Sequence, residues 1–218
     1  MGQDLPPARV ITVSASYGAG GSVIAPQLAQ RLGLAFADRL IPAKEGAPTG
    51  AGAERVTEAE ERQNSRGRFV ERLALLTGGL GLPVPSADDL GDAIRPRVEA
   101  SIHQVVDAGG GLILGRAAAV VLARQPGVFH VRLHGPQQQR IRRGMAIEHI
   151  DEATARSRLT ETDKARDRYI KGLYGKDAAD PDLYHLVLDS TAFAITDCVD
   201  LLVAAATSFW APSGAAQD

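Results

Sequence analysis

The sequence predicts an α/β fold in which a parallel sheet is covered by helices on both faces. Three observations carry this: a β-branched run that passes through glycines into a helical apolar repeat, a short apolar run fenced by glycines, and strand-like and helix-like segments alternating down the chain. Residues 10–13 form the first strand candidate, and Ile24, Leu28 and Leu32 then recur at helical spacing up to Gly33, a suitable helix stop. "LAFAD", residues 34–38, is a second short strand. The stretch that follows, residues 42–93, is polar and rich in Gly, Ala and charge, apart from a periodic piece at residues 69–76, and reads as mobile. Ile94, Val98, Ile102, Val105 and Val106 then form the apolar stripe of a helix. In "GGGLILGR", Leu112, Ile113 and Leu114 suit a strand buried on both faces of a parallel sheet. "VFHVRL" is a further strand, "PQQQRIRRGMAIEHI" a helix entered at Pro136, "HLVLD" a last strand, and residues 193–209 a closing helix before a frayed tail.

The bulk numbers narrow the class. With 218 residues, 44% hydrophobic and 23% charged, the chain is long enough for one substantial core, so a single domain over residues 1–218 is expected. A net charge of −2 gives no global pull towards nucleic acid or an anionic membrane, and neither is expected as a partner. Any anion site must be built from locally gathered arginines. The single cysteine, Cys198, has no partner for an internal disulfide and reads as a buried thiol in a reducing compartment. "MGQDLPPARV" lacks the basic-then-apolar order of a signal peptide and the Ser or Thr of a myristoylation pattern, and no apolar run reaches the roughly 18 residues of a membrane span. A cytoplasmic location is the expectation.

The loop "SYGAGGS" follows a strand and precedes a helix, where successive backbone N–H groups and the helix dipole can cradle a phosphate. Set against G-x-x-x-x-G-K-[ST], Ala15 replaces the first glycine, Gly20 keeps the second, Gly21 takes the lysine place and Ser22 fills the hydroxyl place. The plain alternative is a tight turn whose glycines only permit close packing. Arginines at informative positions add to the phosphate reading. Arg116 stands at the carboxyl end of the "LILG" strand, the edge at which α/β sheets bind ligands. Arg140 and Arg143 share a helix face and have the forks to grip a phosphate. Asp163 precedes Arg166 by three residues and is placed to orient its guanidinium. Each has a bland counterpart as a solvated surface charge.

Taken in order, these segments resemble the cytidylate kinase-like family of P-loop nucleoside monophosphate kinase relatives. "ITVSASYGAGGSVIAPQLAQRLGLAFADRLI" is similar to the family's opening, "LILGRAAAVVLARQPGVFHVRLHGPQQQRIRRGM" to its G-R dipeptide and arginine helix, and "TDKARDRYIKGLYGKDAADPDLYHLVLDST" to its D-K-A-R, G-K-D and Y-x-L-V stretch. The resemblance implies a P-loop kinase-type sheet with core residues 10–41 and 94–209, the insert 42–93 and a short lid at about 150–175. By that likeness the insert 42–93 would be a small helical acceptor-binding subdomain, the alternative being a disordered loop. The resemblance also implies ATP and Mg²⁺ as cofactors and small-molecule nucleotides as partners. ATP phosphates would lie on Tyr17, Gly18, Ala19, Gly20, Gly21 and Ser22, with Ser22 near the metal. Asp38, Arg39 and Arg116 would meet the acceptor, and Arg116, Arg140, Asp163 and Arg166 would be catalytic, since phosphoryl transfer depends chiefly on positioning and charge neutralisation.

The departures cluster at the loop. Gly21 stands where the lysine belongs, Ala15 and Ser22 stand where relatives carry arginines, and Ala117 follows the G-R dipeptide where an acid is usual. Three of the four lysines, Lys164, Lys171 and Lys176, lie in the lid segment, and one of them folding over the loop is the replacement that the resemblance suggests. The expected activity is transfer of the ATP γ-phosphoryl to CMP, dCMP or another small acceptor. The alternatives are a nucleotide-binding regulatory protein without transfer and a scaffold.

Overall fold

The computed structural model describes residues 8–38 and 87–211. Arg39, most of the expected insert including residues 69–76, and the tail after Ala211 lie outside the described residues. Five strands form one parallel sheet: β1 (Arg9–Ala15), β2 (Phe36–Asp38), β3 (Gly110–Leu114), β4 (Val128–His134) and β5 (Leu186–Asp189), in the order β2-β3-β1-β4-β5. Among the described residues, six α-helices connect or cover them: α1 (Gly21–Leu32), α2 (Ala87–Asp107), the short α3 (Ala118–Val121), α4 (Gln137–Glu148), α5 (Glu152–Tyr174) and α6 (Ile195–Phe209). The α2 helix starts at Ala87, so the end of the glycine-rich region already belongs to it. The lid segment is one 23-residue helix, capped at Asp151, whose side chain accepts from the Thr154 amide.

Period-two alternation in the strands divides the core between two faces. Ile11 and Val13 of β1, Leu112 and Leu114 of β3, and Phe129, Val131 and Leu133 of β4 pack with Ile24 and Leu28 of α1 and Cys198, Leu202 and Ala206 of α6. On the other face, Val10, Ile113 and Val128 meet Val98 and Ile102 of α2 and Ala118 and Leu122 at α3. The continuous "LIL" run is therefore needed because both sides of β3 are covered. Gly33 ends α1 in the left-handed region, φ 65°, where a residue without Cβ is least strained.

The strand order places the functional ground. From β1 the chain builds β3 and β2 on one side and later β4 and β5 on the other, so connections diverge at the carboxyl ends of β1, β3 and β4. A crevice opens where such connections part. Among the described residues no helix is long and apolar enough to cross a membrane.

Candidate active site

A cavity of about 420 Å³ lies at those carboxyl ends. Its walls come from the loop after β1, the Gly115–Arg116–Ala117 turn after β3, Arg132 of β4, Arg140 of α4 and the inner face of α5 from Asp163 to Ile170. The loop wraps the start of α1 through Gly18 (φ 70°) and Gly20 (φ 80°). At Gly18 a Cβ would lie 2.0 Å from the Arg140 carbonyl oxygen, so only glycine fits between loop and α4. Gly20 caps α1 without any side-chain hydrogen bond, and the first turn holds no acid. The amides at this helix start thus keep their positive end open towards the cavity, an arrangement suited to an anion.

Tyr17 divides its two halves between structure and site. The ring, 3% exposed, packs with Ile141, Ala155 and Leu159 of α4 and α5. Gly144 makes room for it: a Cβ there would be 2.9 Å from the Tyr17 ring. The Tyr17 amide donates to Asp163 Oδ1 at 2.9 Å, while Arg140 donates to the Tyr17 carbonyl at 3.0 Å and to Asp163 Oδ2 at 2.6 Å. Arg140 Nε also donates to the Gly135 carbonyl. With Arg140 12% and Asp163 25% exposed, this pair is sheltered and charge-assisted, and it ties loop, α4 and α5 into one node.

Arg166 comes from the same α5 face and donates to the Ala15 carbonyl at 2.8 Å, just where β1 enters the loop. Asp163 itself bridges to Arg140 and to the loop backbone, a contact between two helices that its spacing from Arg166 along one helix does not report. Arg116 and Ala117 both adopt positive φ, 59° and 56°. Two successive non-glycine residues in that region mark a strained turn that aims Arg116 into the cavity, a pattern found at functional sites. Beside it, burial pushes the Tyr169 phenol up, with Arg116 opposing.

Other expected residues divide more sharply. Ser22, Gly20 and Gly21 line the cavity, whereas Ala19 is fully buried in the core and its carbonyl accepts from Ser190 Oγ at 2.7 Å. Asp38 ends β2 in register with Leu114, one strand from the Arg116 turn. Arg143 is not a phosphate grip: it donates to the Ser190 and Phe193 carbonyls at 2.6 and 2.7 Å and fastens α4 to the connection before α6. Lys164, Lys171 and Lys176 are exposed and none lines the cavity, so among the described residues no lysine folds over the loop.

The structure also explains the lysine place. A Cβ on Gly21 would come within 2.5 Å of the Ala15 Cβ. The two departures from the loop pattern are therefore one: with alanine in the first glycine position, no side chain fits at residue 21 unless something shifts. The cavity wall contains residues that the sequence pattern did not single out, namely Arg132, Asp167, Tyr169, Ala178 and Tyr184. The only sequence signal for Arg132 is a charge inside the otherwise apolar and histidine-bearing strand "VFHVRLH".

Comparison with known proteins adds to this geometry. The model of the cytidylate kinase-like family matches residues 10–192. A cytidylate kinase of Methanopyrus kandleri is 26% identical over 208 residues, covering 90% of this chain and 92% of that protein. A uronate isomerase of Corynebacterium glutamicum is 30% identical over 103 residues, 46% of this chain, and the match spans only 20% of that protein's length. Among solved structures, a gluconokinase from Sinorhizobium meliloti superposes with a TM-score of 0.50 at 15% identity, covering 94% of each chain, a likeness of fold.

Proposed function

The chain belongs to the cytidylate kinase-like family, and from that premise we propose that it transfers the γ-phosphoryl group of ATP to a small phosphate-bearing acceptor, most simply CMP or dCMP. One observation carries the reading: side chains from α4 and α5 converge on the glycine loop, with Asp163 and Arg140 fixing its backbone and Arg166 reaching the end of β1. A parallel sheet of the P-loop kinase type with this convergence supports a phosphotransferase.

In this reading the open amides around Gly20–Ser22 receive the donor phosphates. Arg166 and Arg116 flank the transferring group and neutralise charge that develops on its oxygens. Asp163 is a positioning residue, because it holds the Tyr17 amide and Arg140 rather than pointing at a reactant. A bound Mg²⁺ would supply positive charge that offsets repulsion among the phosphate oxygens. Among the described residues no cluster of three or more His, Cys, Asp or Glu is arranged for a metal, and the Ser22 hydroxyl on the cavity wall is the protein group that would meet the ion beside the phosphates. The cytoplasm, where ATP is abundant, fits a chain with one cysteine.

A second reading has its own observation. The closed slot at Gly21 leaves no room for the lysine that spans the β- and γ-phosphates, which favours binding without efficient transfer. A coupled assay of ADP release over a panel of nucleoside monophosphates separates the two. Turnover with one acceptor, lost in Arg166→Ala, supports transfer; nucleotide binding with no turnover across the panel supports the second reading.

A further inference from the structure

The cavity continues past the loop onto the sheet face that carries α2 and α3. Val13 packs with α1 and α6, and Ala15 against that same cluster, so Thr12, Ser14 and Ser16 face the opposite side. Register places His130 beside Thr12 and Arg132 beside Ser14. Arg132 Nη1 and Nη2 each lie 3.4 Å from a hydroxyl, those of Ser14 and Ser16, and the guanidinium stands over the Tyr184 ring at 5.7 Å. Tyr184 is itself held, donating to the Ala178 carbonyl at 2.9 Å.

The electrostatic situation of Arg132 sets it apart. Arg140 is closed by Asp163, and the other acid on the loop side, Glu148, is closed by Arg158. Arg132 is half-buried and, among the described residues, forms no ion pair. Its partners are two hydroxyls at the long limit of a hydrogen bond and one aromatic face, all neutral. Asp167 shares the compartment without closing on Arg132; burial and the nearby Asp163 and Asp177 push its carboxyl up while Arg132 pulls it down. A guanidinium that is partly dehydrated, has donors to spare and is backed by a ring is pre-set to take a planar or tetrahedral oxyanion in a fork.

We propose that Arg132 binds the anionic group of the phosphoryl acceptor, a phosphate monoester, and thereby selects charged over neutral acceptors. This rests on the phosphotransferase reading and deepens it. The position suits an acceptor rather than the donor, because Arg132 lies on the face opposite α1, whose amides serve the donor phosphates.

The test is calorimetry and turnover on the full chain with CMP, dCMP, AMP, UMP, GMP, inorganic phosphate and, separately, ATP–Mg²⁺. Arg132→Gln is expected to weaken the best-bound monophosphate by about tenfold or more while ATP–Mg²⁺ affinity stays within about twofold. Arg132→Lys, which keeps the charge and the packing stem but not the fork, is expected to fall between, with an unchanged thermal midpoint; it also serves if the glutamine variant does not fold. Monophosphate affinity unchanged in both variants, equal loss of monophosphate and ATP–Mg²⁺, or a wild type that takes up none of the monophosphates or phosphate would overturn the assignment. The two readings fail separately. Phosphate or monophosphate binding lost in Arg132→Gln, with no transfer by the wild type, keeps the anion site and sinks the kinase; wild-type transfer that Arg132→Gln matches keeps the kinase and sinks the site.

Discussion

Arg140 and Arg132 line one cavity from two sides, and the two sides treat charge in opposite ways. On the helical side, formed by α4 and α5, Arg140 has a carboxylate, a loop carbonyl and a second carbonyl within hydrogen-bond reach. On the sheet side, Arg132 bonds to hydroxyls and stands over a ring and, among the described residues, forms no ion pair, with Asp167 near but not closed on it. The first arrangement fixes the loop; the second leaves a cation to be satisfied by a ligand. Identity of residue type thus says little about role, and what each guanidinium already touches says much more.

The largest effect should come from breaking the helical side. Asp163→Ala strands the Tyr17 amide and leaves Arg140 without its counter-charge, so stability is expected to fall by about 3 kcal/mol in denaturant unfolding. A loss below about 1 kcal/mol would mean that the node is an ordinary surface contact and that the contrast between the two sides is not real.

Acid should act on the sheet side. His130, 4% exposed, lies two residues before Arg132 on the same face, its ring 2.7 Å from the Thr12 hydroxyl and stacked on His185. Burial first, and the neighbouring His185 second, lower its pKa to about 4. Because the folded value lies below the unfolded one, near 6.5, the fold binds fewer protons than the unfolded chain. Stability is therefore full above pH 6.5 and falls as pH drops from there to about 4, by up to about 3 kcal/mol from this group. His130→Leu should flatten that slope whatever it does to stability at neutral pH. An equally steep acid loss in the variant would assign the effect elsewhere.

The coupled loop positions come next in size. Gly21→Lys alone should cost about 1–3 kcal/mol through the collision with Ala15, and Ala15→Gly combined with Gly21→Lys should recover most of it. Additive costs in the cycle would show that the two positions are independent. Smallest of all, Lys164→Ala, Lys171→Ala and Lys176→Ala should each leave stability within about 0.5 kcal/mol and leave turnover unchanged. A large loss of rate in any of them would bring a lysine back to the loop.

These contrasts also mark what could be read from the sequence. The strands and α1 were legible because local pattern and tertiary demand agree there: "LIL" is apolar throughout because β3 is covered on both faces, and Gly33 stops α1 where a positive φ is required. The loop, Arg116, Arg140, Asp163 and Arg166 were legible as a set, since each falls at a strand end or on one helix face. Their partners were not. Spacing along α5 suggests an Asp163–Arg166 pair, but it says nothing of the Arg140–Asp163 contact, which joins residues 23 apart in sequence on two helices, a distance that no periodicity reports. Arg143 shares a face with Arg140 and yet serves the chain before α6, a difference decided by which carbonyls lie opposite. Arg132 has no signal in the sequence beyond its charge, because one charge in a strand has no pattern of its own; only the register with Ser14 gives it meaning. The Ala15–Gly21 coupling is invisible for a similar reason, since five residues of loop separate two Cβ sites that the fold brings to 2.5 Å.

In the proposed reading, a loop without its lysine supports transfer because arginines from α4, α5 and the Arg116 turn surround it. Phosphorus NMR of the purified chain with ATP–Mg²⁺ and CMP tests it most directly. The account predicts that CMP resonances give way to those of a nucleoside diphosphate as ADP accumulates, and that Arg166→Ala abolishes the change. Both nucleotides bound, with neither signal converted over many hours and with any other monophosphate equally inert, would contradict it.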